Sequence, residues 1–164
     1  MTRRHWFFRL RASRPDGRTE AGDGRSAFAA FSKQELARFC AFLQEAEGLA
    51  GIIDADSLES DLQNGWYLDS DVPIGYGLGS SGMVVAAVYD RYARSPIQDA
   101  MDLKALFARM EGYFHGSSSG IDPLQCYLGK PFKITPEGLE LLDDELLSGG
   151  IQICLIDTNI KSNT

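Results

Sequence analysis

Two stretches of the chain alternate between apolar and polar side chains. In residues 6–13 every second side chain is apolar, and residues 66–72 show a similar alternation with Tyr67 and two aspartates on the polar face. A period of two is typical of a half-buried β-strand, because successive side chains of a strand point to opposite faces. Turn-forming residues follow the first stretch, and Pro73 ends the second. The pattern predicts two strands, with a third at residues 151–156 and a hairpin turn at residues 136–138.

Three other stretches follow the helical period of about 3.6 residues. The first begins at Ser32, which forms a capping-box pattern with Glu35, and Gly48 marks its end. Residues 81–92 are apolar on nearly all sides, which predicts a helix covered by other elements. Residues 99–114 carry one apolar stripe and predict an amphipathic helix. The stripe residues are Leu36, Phe39, Cys40 and Leu43 in the first helix and Leu103, Leu106, Phe107, Met110 and Phe114 in the third.

Strands and helices are mixed along the chain without a regular alternation of one strand with one helix. A doubly wound parallel sheet needs that alternation, so the order of the elements favours an α+β fold. The chain has 164 residues, and this length buries enough surface to form one core without a disulfide or a metal. We therefore predict a single α+β domain over residues 1–164.

The net charge and the apolar pattern exclude some classes of binding partner, and the cysteines indicate the cellular compartment. The formal net charge is −7 at pH 7, which disfavours nucleic acid because that partner requires clustered Lys and Arg. No apolar run of the sequence approaches the roughly 20 residues that span a bilayer, so a membrane partner is not expected. The three cysteines lie far apart and are odd in number, which favours free thiols and a cytoplasmic protein.

A glycine-rich segment, residues 73–82, joins the second predicted strand to the buried helix. Its sequence is PIGYGLGSSG. Glycines let a backbone approach a ligand closely, and a helix N-terminus offers unpaired N–H groups and the positive end of its dipole. The pattern predicts an anion site for a di- or triphosphate, with Ser80 and Ser81 contacting phosphate or Mg²⁺. A glycine-rich turn that only caps the helix explains the pattern equally well.

A second segment, residues 111–122, places two carboxylates around a loop of glycines and serines. Glu111 lies near the end of a predicted helix, and Asp122 has apolar neighbours in the sequence. A carboxylate in an apolar setting suits a general base, and the earlier one suits a metal ligand. A helix cap or Asx-turn is the commoner role of an Asp beside Pro, and a structural imidazole is the commoner role of a residue such as His115.

Taken together and in this order, the two segments resemble those of the GHMP kinase superfamily. Residues 73–82 resemble its phosphate-binding motif, and residues 115–122 resemble the loop that carries the catalytic Asp in its mevalonate kinase branch. Residues 156–164 are similar to the strand and polar turn that follow in that branch. The resemblance is clearest over residues 64–164.

The resemblance implies a role for each matching residue. Asp122 would take the proton from the substrate hydroxyl as that hydroxyl attacks the γ-phosphate of ATP. Ser81 and Glu111 would hold Mg²⁺, and the spacing from Glu111 to Asp122 matches the mevalonate kinase branch. The residues implied to cradle the ATP phosphates are Gly75, Gly77, Leu78, Gly79, Ser80, Ser81 and Gly82, and those implied on the substrate side are Ser119, Gly120 and Thr164.

The resemblance also implies an architecture and a reaction. The fold would be the N-terminal lobe of that family, a ribosomal-protein-like two-layer α/β sandwich, here incomplete and without the C-terminal lobe. The reaction would be ATP- and Mg²⁺-dependent phosphoryl transfer to a small-molecule alcohol, with mevalonate or a related alcohol as substrate, in a cytoplasmic protein compatible with a homodimer. We expect this 164-residue form to be poorly active, because that lobe is missing and residues 1–30 contain no Lys where the family carries one.

Other functions stay open from the residues alone. A non-catalytic nucleotide-binding or interaction domain would keep the glycine-rich loop without the Lys. A related decarboxylase, or a sugar kinase of heptose or galactose type, would share the loop, because the substrate contacts lie largely outside these motifs.

Overall fold

The computed structural model describes residues 8–12, 26–70 and 79–142, and this part of the chain contains five helices and four short strands. This mixture of helices with small sheets agrees with the predicted α+β class. The elements of this part of the chain are β1 (Phe8–Ala12), α1 (Ser26–Glu45), α2 (Ala55–Gln63), β2 (Trp66–Ser70), α3 (Ser80–Tyr92), α4 (Ala100–His115), α5 (Ile121–Leu128), β3 (Phe132–Thr135) and β4 (Gly138–Leu141).

The described strands form two antiparallel pairs. β1 pairs with β2, with Leu10 opposite Leu68, so both alternating stretches are confirmed as strands over the residues that the structure describes. β3 and β4 form the predicted hairpin, with Thr135 opposite Gly138 across the turn. The strand predicted at residues 151–156 lies outside the described residues.

Helix α1 is longer than its apolar stripe predicts. It begins at Ser26, so Ser32 lies inside the helix and the predicted capping box is wrong. The preceding residues, 26–31, read SAFAAF, and their alanines are strong helix formers that extend the helix toward the N-terminus. The helix ends at Glu45, before Gly48. The predicted stripe of Leu36, Phe39, Cys40 and Leu43 is buried, as expected.

Helix α2 is an element that the apolar pattern does not predict. Asp54 caps it, and its side chain accepts a hydrogen bond from the Ser57 N–H at 3.3 Å. Ala55 and Leu58 are buried, while most of the helix is polar. A short helix with so few apolar side chains has too little periodicity to be recognised from sequence.

Helix α3 is the centre of the core, as its apolar sequence predicts. Val85, Val88 and Tyr89 are almost completely buried. The ring of Tyr89 makes edge-to-face contacts with Phe107 of α4 at 5.0 Å and with Tyr127 of α5 at 5.1 Å between centroids. This aromatic cluster holds α3, α4 and α5 against one another, since edge-to-face pairs add to the stabilisation from area burial.

The two ends of α4 set the path of the chain toward the site. Asp99 caps its start and accepts hydrogen bonds from the N–H groups of Met101 and Asp102, each at 2.9 Å. Gly116 ends the helix with a φ of 75°, a left-handed value that favours glycine. The chain then turns back at Gly120 into α5, which packs against α3. Within the described residues, none of the helices is long and apolar enough to cross a bilayer.

Candidate functional site

The N-terminus of α3 is the first component of the site. Gly79 occupies its N-cap with a φ of 68°, and no side chain caps the helix there. Ser80 and Ser81 form the first turn and are half-buried, whereas Gly82 is buried. Because the first N–H groups of a helix have no intrahelical acceptor, this end suits an anion. Of the predicted phosphate-binding residues, Gly75, Gly77 and Leu78 lie outside the described residues.

The N-terminus of α5 lies directly against that of α3. A Cβ atom placed on Gly82 would come within 2.9 Å of the Asp122 carbonyl carbon and of the Pro123 nitrogen. A Cβ atom placed on Gly79 would lie 3.8 Å from Asp122 Oδ2. The Asp122 carboxylate therefore stands beside the start of α3, and the residue is exposed. Asp122 is not the helix cap, since Gly120 occupies the N-cap of α5.

Glu111 on α4 brings a buried carboxylate to the same place. Only 4% of Glu111 is exposed, and among residues 33–68 and 79–142 it is the one charged residue that is buried. Its Oε1 accepts a hydrogen bond from Ser81 Oγ at 3.0 Å, and its Oε2 accepts one from Ser118 Oγ. The structure thus brings Ser81 and Glu111 into contact, although thirty positions separate them in sequence.

His115 also reaches Ser81, although the sequence pattern gives it no role. Its Nε2 lies 2.9 Å from Ser81 Oγ. The single hydroxyl proton of Ser81 is directed to Glu111, so the Nε2–H tautomer of His115 completes the arrangement by donating to Ser81. His115 lies in the last turn of α4, where the helix dipole favours a donor or a cation.

The thiol of Cys126, on α5, lies within electrostatic reach of both carboxylates. Burial, followed by the negative charges of Asp122 and Glu111, raises the pKa of Cys126 to about 11. The thiol therefore stays protonated at neutral pH and is a poor nucleophile. Cys126 contributes packing to this region, as expected for a structural free cysteine.

The residues predicted on the substrate side occupy the turn before α5. Ser119 is exposed, and its Oγ accepts a hydrogen bond from the Ile121 N–H at 3.3 Å. Gly120 is buried with a φ of 73°. Thr164 lies outside the described residues.

The pair formed by Ser81 and Glu111 fits a Mg²⁺ ion. The two oxygens lie 3.0 Å apart, which matches the separation of about 3.0 Å between neighbouring ligands of an octahedral ion with bonds near 2.1 Å. In residues 8–12, 26–70 and 79–142, no group of three or more His, Cys, Asp and Glu residues could hold a metal. Mg²⁺ in nucleotide sites usually takes one or two carboxylates and completes its shell with phosphate and water.

Replacing Gly82 with alanine is expected to separate α3 from α5. The new Cβ would contact backbone atoms of Asp122 and Pro123 at 2.9 Å, which overpacks the interface. We expect the free energy of unfolding, measured by urea denaturation, to fall by about 1–3 kcal/mol. Gly112→Ala in α4 is the matched control, because its Cβ would meet nothing within 4 Å and should raise that energy by about 0.5–1 kcal/mol. Equal effects of the two substitutions would contradict this close approach.

Comparison with known proteins gives one family match. The family model described as GHMP kinases N terminal domain matches residues 38–130, which is more than half of the chain. The matched range contains α3, α4 and α5 and therefore the Ser81, Glu111 and Asp122 side chains. No solved structure matches the chain.

Proposed function

The chain belongs to the GHMP kinases, and on that premise we propose that it transfers a phosphoryl group from ATP to the hydroxyl of a small molecule, most specifically mevalonate or a related alcohol. The observation that carries the proposal is the meeting of three helix ends. The N-termini of α3 and α5 and the C-terminal part of α4 bring Ser81, Asp122 and Glu111 together. Phosphoryl transfer depends mainly on positioning and on neutralisation of charge, which such a cluster supplies.

Ser81 and Glu111 hold Mg²⁺ in this proposal. Burial of the Glu111 carboxylate and its hydrogen bond to Ser81 fix the two oxygens in one orientation before any ligand arrives. When bound, Mg²⁺ would neutralise charge on the phosphates of ATP. Because the two ligands are ordered before the ion binds, the entropic cost of binding is smaller.

The start of α3 binds the phosphates. Gly79, Ser80, Ser81 and Gly82 present the first backbone N–H groups and the positive end of the helix dipole to the nucleotide. A residue with a side chain at Gly79 would also need a strained left-handed φ and would stand 3.8 Å from the Asp122 carboxylate. The preceding residues of the loop, Gly75, Gly77 and Leu78, belong to this phosphate cradle by resemblance.

Asp122 is the general base. Its carboxylate is exposed beside the N-terminus of α3, so it can accept a proton from a hydroxyl that approaches the phosphate. An ionised carboxylate within reach of the nucleophile is what general base catalysis requires.

The choice of mevalonate rests on the resemblance of residues 115–122 to the mevalonate kinase loop. By the same resemblance we assign Ser119, Gly120 and Thr164 to the substrate side. The resemblance also assigns the two-layer α/β sandwich of a cytoplasmic enzyme, one that is compatible with a homodimer. A sugar kinase of the same superfamily would use the same Mg²⁺ and base residues, so the substrate has to be identified by assay.

A coupled assay of ADP formation tests the proposed function. The protein is incubated with Mg²⁺ and ATP and with mevalonate, galactose or a heptose in turn. We expect ADP release that depends on mevalonate and stays below about 1 s⁻¹, the lower end of the kinase range, in keeping with the low activity expected for this 164-residue form. Release only with a sugar would contradict the substrate, and binding of Mg²⁺–ATP without release on any alcohol would contradict the kinase activity.

A further inference from the structure

The hydroxyl of Ser118 connects two parts of the site that the sequence places on different elements. Its Oγ donates a hydrogen bond to Glu111 Oε2. The same oxygen accepts a hydrogen bond from the Gly120 N–H at 2.9 Å. A serine hydroxyl has one proton and two lone pairs, so it makes both bonds at once.

The bond to Glu111 fixes which carboxylate oxygen faces Ser81. Oε2 is occupied by Ser118, while Oε1 lies 3.0 Å from Ser81 Oγ. Glu111 is 4% exposed, so an oxygen that lost its partner could not be satisfied by bulk water without rearrangement. The hydrogen bonds from Ser81 and Ser118 therefore both oppose rotation of the Glu111 carboxylate.

The bond from Gly120 fixes the start of α5. Gly120 is the N-cap residue of α5 and has no side chain with which to cap the helix. Asp122 follows two residues later, in the first turn. The Ser118 hydroxyl therefore couples the orientation of the Glu111 carboxylate to the position of the first residue of α5, the helix that carries Asp122.

We propose that Ser118 is a positioning residue that holds the Glu111 carboxylate in its metal-binding orientation and ties it to the N-cap of α5. The inference rests on the proposed function, because it assigns Glu111 to the metal. Ser118 would act through Glu111 and the N-cap of α5, the two groups to which its hydroxyl is bonded. Partners that orient a metal ligand typically change metal affinity by about 10–100-fold when they are removed.

Binding of Mn²⁺, followed by electron paramagnetic resonance in the presence of ADP, tests this role. Ser118→Ala should weaken Mn²⁺ binding by about 10–100-fold, while ADP affinity without metal stays that of the wild type. Ser118→Thr keeps the hydroxyl and should restore Mn²⁺ binding. Ser117→Ala is the matched control, because Ser117 is an exposed neighbour in the same loop and should leave Mn²⁺ binding unchanged.

A second variant covers the case in which Ser118→Ala does not fold. Ser118→Cys keeps the side-chain volume but donates a weaker hydrogen bond, so it should also weaken Mn²⁺ binding. Wild-type affinity in Ser118→Ala or Ser118→Cys, or failure of a folded Ser118→Thr to restore it, would overturn the role of Ser118.

Glu111→Gln separates this inference from the proposed function. If Glu111→Gln weakens Mn²⁺ binding and the Ser118 variants do not, the metal role of Glu111 stands and the Ser118 inference is wrong. If the wild-type protein binds no Mn²⁺ with ADP, the proposed function fails and the Ser118 inference fails with it.

Discussion

Asp122→Asn should lower the rate of phosphoryl transfer by about 100–10,000-fold, the range that a general base contributes. The substitution keeps the size of the side chain but removes its ability to accept the hydroxyl proton. Ser81 and Glu111 are unchanged, so the affinity for Mg²⁺–ATP should stay close to that of the wild type. The rate is measured as alcohol-dependent ADP formation, and the affinity by calorimetry.

Asp102→Asn is the matched control for that substitution. Asp102 also lies in the first turn of a helix, α4, but at the end opposite Glu111. It should lose the same favourable interaction with a helix dipole, about 0.3–1 kcal/mol of stability, without a change in rate. A rate that falls equally in both variants, or in neither, would contradict the assignment of Asp122 as the base.

Gly120→Ala should be the most destabilising single methyl addition in the site. A Cβ atom there would lie 2.1 Å from the Lys104 carbonyl oxygen and 2.7 Å from the Ala108 nitrogen, both backbone atoms of α4. The φ of 73° adds the cost of a left-handed conformation, about 1–2 kcal/mol for a residue other than glycine. Together with overpacking, the free energy of unfolding should fall by about 2–5 kcal/mol.

Gly129→Ala isolates the contribution of the backbone. Gly129 ends the same helix with a φ of 62°, and its Cβ would meet nothing within 4 Å. Only the conformational cost applies there, so the loss should stay near 1–2 kcal/mol. Urea denaturation of both variants makes the comparison. A Gly120→Ala variant no less stable than Gly129→Ala would show that α4 and α5 do not approach so closely.

The elements predicted from sequence are those with strong local signals. The apolar run of α3, the stripe of α4 and the turn between β3 and β4 each depend only on residues that are close together in sequence. Helix α5 lacks such a signal because Pro123 resembles a helix breaker. In the structure Pro123 lies in the first turn, where proline costs no intrahelical hydrogen bond.

The site was only partly predictable for a related reason. Glu111 and Asp122 stand out because carboxylates in a Gly/Ser-rich setting form a recognisable motif. The roles of His115 and Ser118 depend on where the end of α4 and the following loop return to α3, and this is a tertiary property. A serine among several serines carries no local sign of which hydroxyl will face a buried carboxylate.

The central claim is that the Ser81–Glu111 pair binds the metal of a nucleotide complex. Calorimetric titration with ATP, once with Mg²⁺ and once with a chelator, tests it most directly, using the wild type, Ser81→Ala and the Ser117→Ala control. We predict that Mg²⁺ tightens ATP binding in the wild type and in Ser117→Ala. Ser81→Ala should reduce this gain by about tenfold or more, because loss of a ligand should cost at least as much as loss of a residue that only orients one. An unchanged gain in Ser81→Ala, or no binding of ATP to the wild type, would contradict the account.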